Sequence, residues 1–204
     1  VQLSRADVLD GAIEILDQYG LADLTMRRLA SSLGVRPGAL YWHFTDKQTL
    51  LAAITDHTLA PALDGCDAEQ DPAAALRALA VRIRDALLAR RDGAEVASAS
   101  FAAGLSGDGV RVELTAAARA AGLTEPEASY AAETLLLLVV GQVLDEQTRM
   151  QMDSAGALAA GDSPLDDPSA RAGTSRGADR FAFGLDTFLA GLLGLPAQRP
   201  AGAR

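Results

Sequence analysis

A stretch of twenty residues, Thr25 to Phe44, constrains this chain more than any other. Its spacing predicts one short helix from about Thr25 to Leu33, closed by Gly34, and a second that Pro37 opens and that ends near Phe44. Two short helices that cross steeply need a small residue where they touch, and Ala30 supplies it. They also need a turn residue free of Cβ strain, which Gly34 supplies. Leu29, Leu33, Val35 and Leu40 then fall on the inner face. An ordinary helical hairpin would show the same small residues. Tyr41, Trp42 and His43 in a row add something more, because three consecutive large side chains cannot all face the core of a short helix. Exposed rings beside Arg and Lys suit contacts to a sugar-phosphate backbone.

The rest of the chain reads as helices too. Hydrophobic residues make up 49% but aromatic ones only 4%, and the Ala and Leu that dominate favour helix over strand. Ser4 and Asp7 form a capping box ahead of an apolar stripe at Val8, Ala12, Ile15, Leu16 and Tyr19, which Gly20 ends. Thr45 and Gln48 read as a second capping box, opening a helix that Pro61 interrupts. Further helices are expected at 73–91, 94–103, 110–121, 124–152 and 180–194, with a linker at 64–72 that contains Pro72. Residues 153–179 are rich in Gly, Ser, Asp, Pro and Ala without periodicity and read as a flexible loop, and 196–204 as a frayed tail. The expected fold is all-α: an N-terminal three-helix helix-turn-helix domain at 1–60, which includes a linker helix at 45–60, then a helical ligand-binding and dimerisation domain at 61–195.

Charge is distributed unevenly. The total is -9, which by itself argues against a polyanionic partner. Residues 25–47, however, carry Arg27, Arg28, Arg36 and Lys47 against Asp46 alone, while residues 61–204 hold 13 basic and 20 acidic side chains. A basic stretch on an acidic body fits a protein that touches DNA at one end, although such a window also arises by chance.

The segment "LTMRRLASSLGVRPGALYWHFTDKQTLL" (Leu24 to Leu51) resembles the DNA-binding signature of the tetracycline-repressor (TetR) family. "RRDGAEV" (Arg90 to Val96), "VLDEQ" (Val143 to Gln147) and "FAFGLDTFLAGL" (Phe181 to Leu192) are similar to segments of the tetracycline repressors' own C-terminal domain. The resemblance implies a ligand-responsive transcription regulator, a repressor by the family's habit, with double-stranded operator DNA, a small-molecule effector and a second copy of itself as partners. It implies DNA contacts from Arg27, Arg36, Pro37, Gly38, Ala39, Tyr41, Trp42, His43 and Lys47. Arg27 and Arg36 can each bond guanine O6 and N7 together. Tyr41, His43 and Lys47 suit phosphates, and Gly38 and Ala39 offer only van der Waals contact.

The family pairs its last long helices across a dimer, which points here to 125–150 and 180–194, with Leu135, Leu138, Gly184, Phe188, Gly191 and Leu192 as interface candidates. Gly184 and Gly191 lie seven apart on one face, a spacing that permits close helix approach. The same helix could instead cap its own subunit's core. In the tetracycline repressors a histidine shortly after the "RDGA" segment holds the drug's magnesium, and Ala97 stands at that position here. Asp145 and Glu146 read as a solvated helix end. The expectation is therefore no metal, no cofactor and a largely apolar effector. Leu79, Ile83, Phe101, Leu114 and Leu137 are candidates for the pocket wall, with Ser100 and Gln142 as polar anchors, though each serves equally well as core.

Other classes find little support. There is no GxSxG, P-loop, HExxH or CxxC, and an enzyme is not expected. A helical interaction module with a degenerate helix-turn-helix is the alternative, favoured by the acidic total. The single cysteine, Cys66, reads as a small apolar filler and fits a reducing cytoplasm. No signal sequence is apparent, and the longest purely apolar run, Leu135 to Val140, is far short of a membrane span.

Overall fold

A computed structural model describes residues 3–65, 71–154 and 176–195. Every regular element among them is helical: α1 (Arg5–Tyr19), α2 (Met26–Ser32), α3 (Pro37–Leu40), α4 (Lys47–Leu59), a 3-10 turn (Ala60–Leu63), α5 (Pro72–Leu88), α6 (Gly93–Ala102), α7 (Asp108–Ala120), α8 (Glu125–Ser154) and α9 (Arg176–Gly194). The helix starts follow local chemistry. Ser4 caps α1 in the expected box with Asp7. The α4 cap is Asp46, boxed with Thr49, one residue beyond the Thr45–Gln48 pair expected. A carboxylate is the stronger acceptor for the helix's first N–H groups. Pro72, expected in a linker, is the first residue of α5, where its missing N–H costs nothing. Residues 153–154 and 176–179, expected in the flexible segment, are helical. The remainder of that segment, the 196–204 tail and Cys66 lie outside the described residues.

The chain divides into two compact units. The first comprises Val1–Pro61 and Asp85–Asp108 and the second Ala62–Arg84 and Gly109–Arg204. By contact, then, residues 85–108 belong with the N-terminal helices.

The first unit is built on α1, α2 and α4, whose stripes bury Val8, Ala12, Leu16, Leu29, Ile54 and their neighbours in one cluster that Val96 of α6 joins. Leu40 and Phe44 enter the same cluster from either side of the Tyr41–His43 turn. Polar contacts fix α6 and the turn before it. Thr55 Oγ1 of α4 lies 3.0 Å from the Leu51 carbonyl and 3.1 Å from Ser100 Oγ, whose hydroxyl donates to the Val96 carbonyl at 2.9 Å. At the end of α1 the Leu21 N–H donates to Asp92 Oδ2 at 2.7 Å. Asp92 is itself left-handed at φ 53°, and Arg91 Nη1 donates to the Gln18 carbonyl at 2.8 Å.

The second unit is organised on α8. By length and composition this helix would pass for a membrane span. Its face of Ala128, Ala132, Leu135, Leu136, Val139 and Val143 is instead the core of the unit, together with Leu79 and Ile83 of α5, Leu114 of α7 and Leu185 of α9. Glu146 is not part of a solvated end. It pairs with Arg84 at 2.7 Å, both side chains being largely buried, and the Arg84 guanidinium lies 5.2 Å from the Phe181 ring. Asp145, half exposed, holds Arg149 and Arg180 at 3.2 and 3.1 Å.

Candidate nucleic-acid interface

The geometry of residues 25–47 follows from a few backbone decisions. Thr25 caps α2 by accepting the Arg28 N–H at 3.1 Å. Gly34 ends α2 at φ +66°, and the Val35 and Gly34 N–H groups return to the Ala30 and Ser31 carbonyls at 2.9 and 3.2 Å. That pair of bonds satisfies carbonyls an α-helix leaves orphaned and reverses the chain within two residues. Arg36 and Pro37 then start α3. The helix is shorter than its spacing suggested. It ends at Leu40, and Tyr41 to His43 form a turn in which the His43 and Phe44 N–H groups both return to the Leu40 carbonyl, at 2.9 and 3.0 Å. Leu40 and Phe44 are buried on either side, and the Asp46 cap begins α4 directly afterwards, so nothing is left to extend α3.

This turn places the aromatic run at the surface. Trp42 is 90% exposed and Tyr41 49%, whereas His43 is partly buried. Arg27, Arg36, Pro37 and Gly38 are exposed, and Ala39 and Lys47 are partly so. A Cβ added at Gly38 would meet nothing within 4 Å. The neighbouring cation Arg28 differs from Arg27: it pairs with Asp23 and stacks on the Tyr19 ring at 3.9 Å, and is held within the fold. Sequence spacing did not reveal Arg5, whose guanidinium lies 4.4 Å from the centroid of Phe44. The two residues are far apart in sequence, and only packing of α1 brings them together.

The residues expected in the other half divide clearly. Leu79, Ile83 and Leu114 are buried in the second unit, and Gln142 is partly buried there. Ser100 and Phe101 are buried in the first unit, with Ser100 committed to Thr55 and Val96. Leu137 is 56% exposed and faces away from the core that Leu136 enters. Among the interface candidates, Leu135 and Leu192 are taken up by the protomer's own core. Gly184 sits against its own α8, where an added Cβ would come within 3.2 Å of Gln142 Nε2. Leu138 and Phe188 are partly buried, and Gly191 is exposed with open space around it. The outward face of α8 carries a seven-residue repeat instead, Tyr130, Leu137 and Leu144, and Phe183 is 75% exposed on α9. No group of three or more His, Cys, Asp or Glu side chains gathers among the described residues.

Comparison with known proteins gives these features a context. Residues 8–54 match the bacterial regulatory proteins of the tetR family, and residues 66–195 match the tetracyclin repressor-like C-terminal domain. The class C tetracycline repressor protein of Escherichia coli is 35% identical over 152 residues, which span 72% of this chain and 67% of that protein. The crystal structure of Mycobacterium smegmatis BioQ superposes with a TM-score of 0.82 at 42% identity, covering 95% of this chain and 99% of that one. A structure of BioQ with its natural double-stranded DNA operator gives 0.75 at 39% identity, with coverage of 95% and 99%. Two matched segments that together take in both halves of the chain, and an all-helical fold shared nearly end to end, lead to one conclusion: this chain belongs to the TetR family, whose members are ligand-responsive, DNA-binding transcription regulators that work as dimers and not enzymes.

Proposed function

We propose that the chain is a cytoplasmic repressor whose dimer grips a palindromic operator through Arg27, the 36–43 segment and Lys47 of each protomer, and lets go when a largely apolar small molecule binds residues 61–195. The observation that carries the DNA reading is the Tyr41–Trp42 turn. Two large rings stand in water between buried anchors, flanked by Arg36 and Lys47, neither of which has an ion pair among the described residues. Desolvating such rings without a partner gains nothing, whereas sugar and phosphate surface covers them. Arg27 and Arg36 supply base readout, and Tyr41, His43 and Lys47 grip phosphate. Two such surfaces about 34 Å apart match one turn of duplex.

Dimerisation runs along the exposed apolar line of Tyr130, Leu137 and Leu144 on α8 together with Phe183 and Gly191 of α9. Effector control passes through α4, whose Thr55 is bonded to Ser100 of α6. A molecule that prefers one arrangement of these helices shifts DNA affinity by its differential affinity for the two states, about 1–3 kcal/mol. The test is binding to duplexes recovered by the chain from a randomised pool. Tyr41→Ala and Lys47→Ala should each abolish recovery of a common palindrome while the thermal melt is preserved. Retained binding in both would sink the assignment.

A further inference from the structure

The turn that carries Tyr41 and Trp42 has a neighbour supplied by α1. Phe44 is 2% exposed, and the Arg5 guanidinium lies over its ring, with Arg5 itself at the surface. The first turn of α1 therefore runs alongside Phe44.

Of the five cations in residues 1–60, Arg28 is paired with Asp23, while Arg5, Arg27, Arg36 and Lys47 have no ion pair among the described residues. Asp7 is the nearest acid in sequence, but it is turned away onto the helix cap. Its Oδ2 accepts the Ser4 N–H at 2.8 Å and the Ser4 hydroxyl at 2.7 Å. A guanidinium stacked on a ring uses its face, so its N–H edge stays available to an acceptor. The stack also costs the side chain its freedom before any partner arrives, which lowers the entropy lost on binding.

We infer that Arg5 is a phosphate contact of the DNA-bound state, held in position by Phe44. The inference rests on the DNA-binding reading above. A docked duplex brings a phosphate row past the Tyr41–Trp42 turn, and a fixed guanidinium edge beside that turn is an acceptor's natural partner. From the start of α1 the side chain addresses backbone and not base edges, so its contribution is the same for every sequence.

The test uses the full chain, a duplex recovered by the parent protein from a randomised pool, and anisotropy titrations across a salt series. Arg5→Gln still covers Phe44 but carries no charge. It should weaken binding about tenfold at ~0.1 M salt and flatten the slope of log K against log salt by about 2 per dimer, one phosphate for each protomer. The loss should be equal on duplexes with altered base pairs. Arg5→Lys should restore most of the slope. Thermal melting reports the cover over Phe44 separately, so a lower melting point with an unchanged slope would make Arg5 a lid only and overturn the inference. If the parent recovers no duplex, the DNA-binding reading fails and takes this inference with it. If the parent binds and Arg5→Gln keeps its slope, the inference fails alone.

Discussion

Gly20→Ala probes how α1 is joined to the turn before α6. Gly20 ends α1 at φ +88° and ψ 173°, a conformation essentially reserved for glycine. Alanine there costs about 1–3 kcal/mol in backbone strain alone. The structure adds a collision, because the new Cβ would sit 2.8 Å from Asp92 Oδ2 and 3.2 Å from Arg91 Nε. That carboxylate oxygen is the acceptor of the Leu21 N–H at 2.7 Å. Asp92 is only 8% exposed, so the displaced group has no easy route to water. Losing a hydrogen bond to a charged acceptor costs about 1.5–3 kcal/mol, which brings the expected loss to roughly 3–5 kcal/mol. Typical domain stability is about 5–15 kcal/mol, so the variant should be visibly marginal. Gly34→Ala is the reference: its φ is +66° and nothing lies within 4 Å of the added atom. It should lose only the left-handed strain, about 1–2 kcal/mol. The assay is urea unfolding of both variants at one fixed protein concentration, since dimer stability depends on concentration. Equal losses would refute the reasoning, because the collision with Asp92 would then contribute nothing.

Leu137→Glu should dissociate the dimer in sedimentation while leaving the protomer's helical content intact, whereas Leu135→Ala should lower stability by about 2–5 kcal/mol through a buried cavity. The reverse pattern would place the seam on the other face of α8. Thr55→Val removes one hydroxyl between α4 and α6, which should cost about 1 kcal/mol and blunt effector-driven release of DNA. Full release with only the stability loss would take the pair out of the coupling route. The Ser4 hydroxyl, donating to Asp7, and the Thr49 N–H, donating to Asp46, hold both carboxyls below their ordinary value of 3.8. The unfolded chain then binds more protons in acid, so the stabilisation is complete above the ordinary value and is lost as pH falls through the lowered ones. Asp46→Ala should differ from the parent near neutral pH and converge on it in acid, and a constant difference down to acid unfolding would argue against the cap. Gly38→Ala should leave the thermal melt unchanged or slightly raised yet weaken operator binding, since its Cβ meets nothing in the free protein. Undiminished binding would show that DNA does not approach there.

The sequence by itself determined most of the elements and which residues of the helix-turn-helix stand at the surface. Helix starts and stops rest on contacts within a few residues, such as Ser4 with Asp7 or Gly34 after α2, and local spacing records them. The prediction that Tyr41, Trp42 and His43 cannot all be buried needed only the width of a helix, and Trp42 stands 90% exposed. Tertiary structure decided what spacing cannot carry. A seven-residue repeat marks a face of α8 but not its partner, so Leu135, an interface candidate, turned out to be core, and Leu137, a pocket candidate, points to solvent. Glu146 read as a solvated helix end until α5 brought Arg84 to it. Arg5 over Phe44, Thr55 with Ser100 and Leu21 with Asp92 join residues 39 to 71 positions apart. Such pairs form because folding closes long loops around a shared core, and loop closure leaves no periodic trace along the chain.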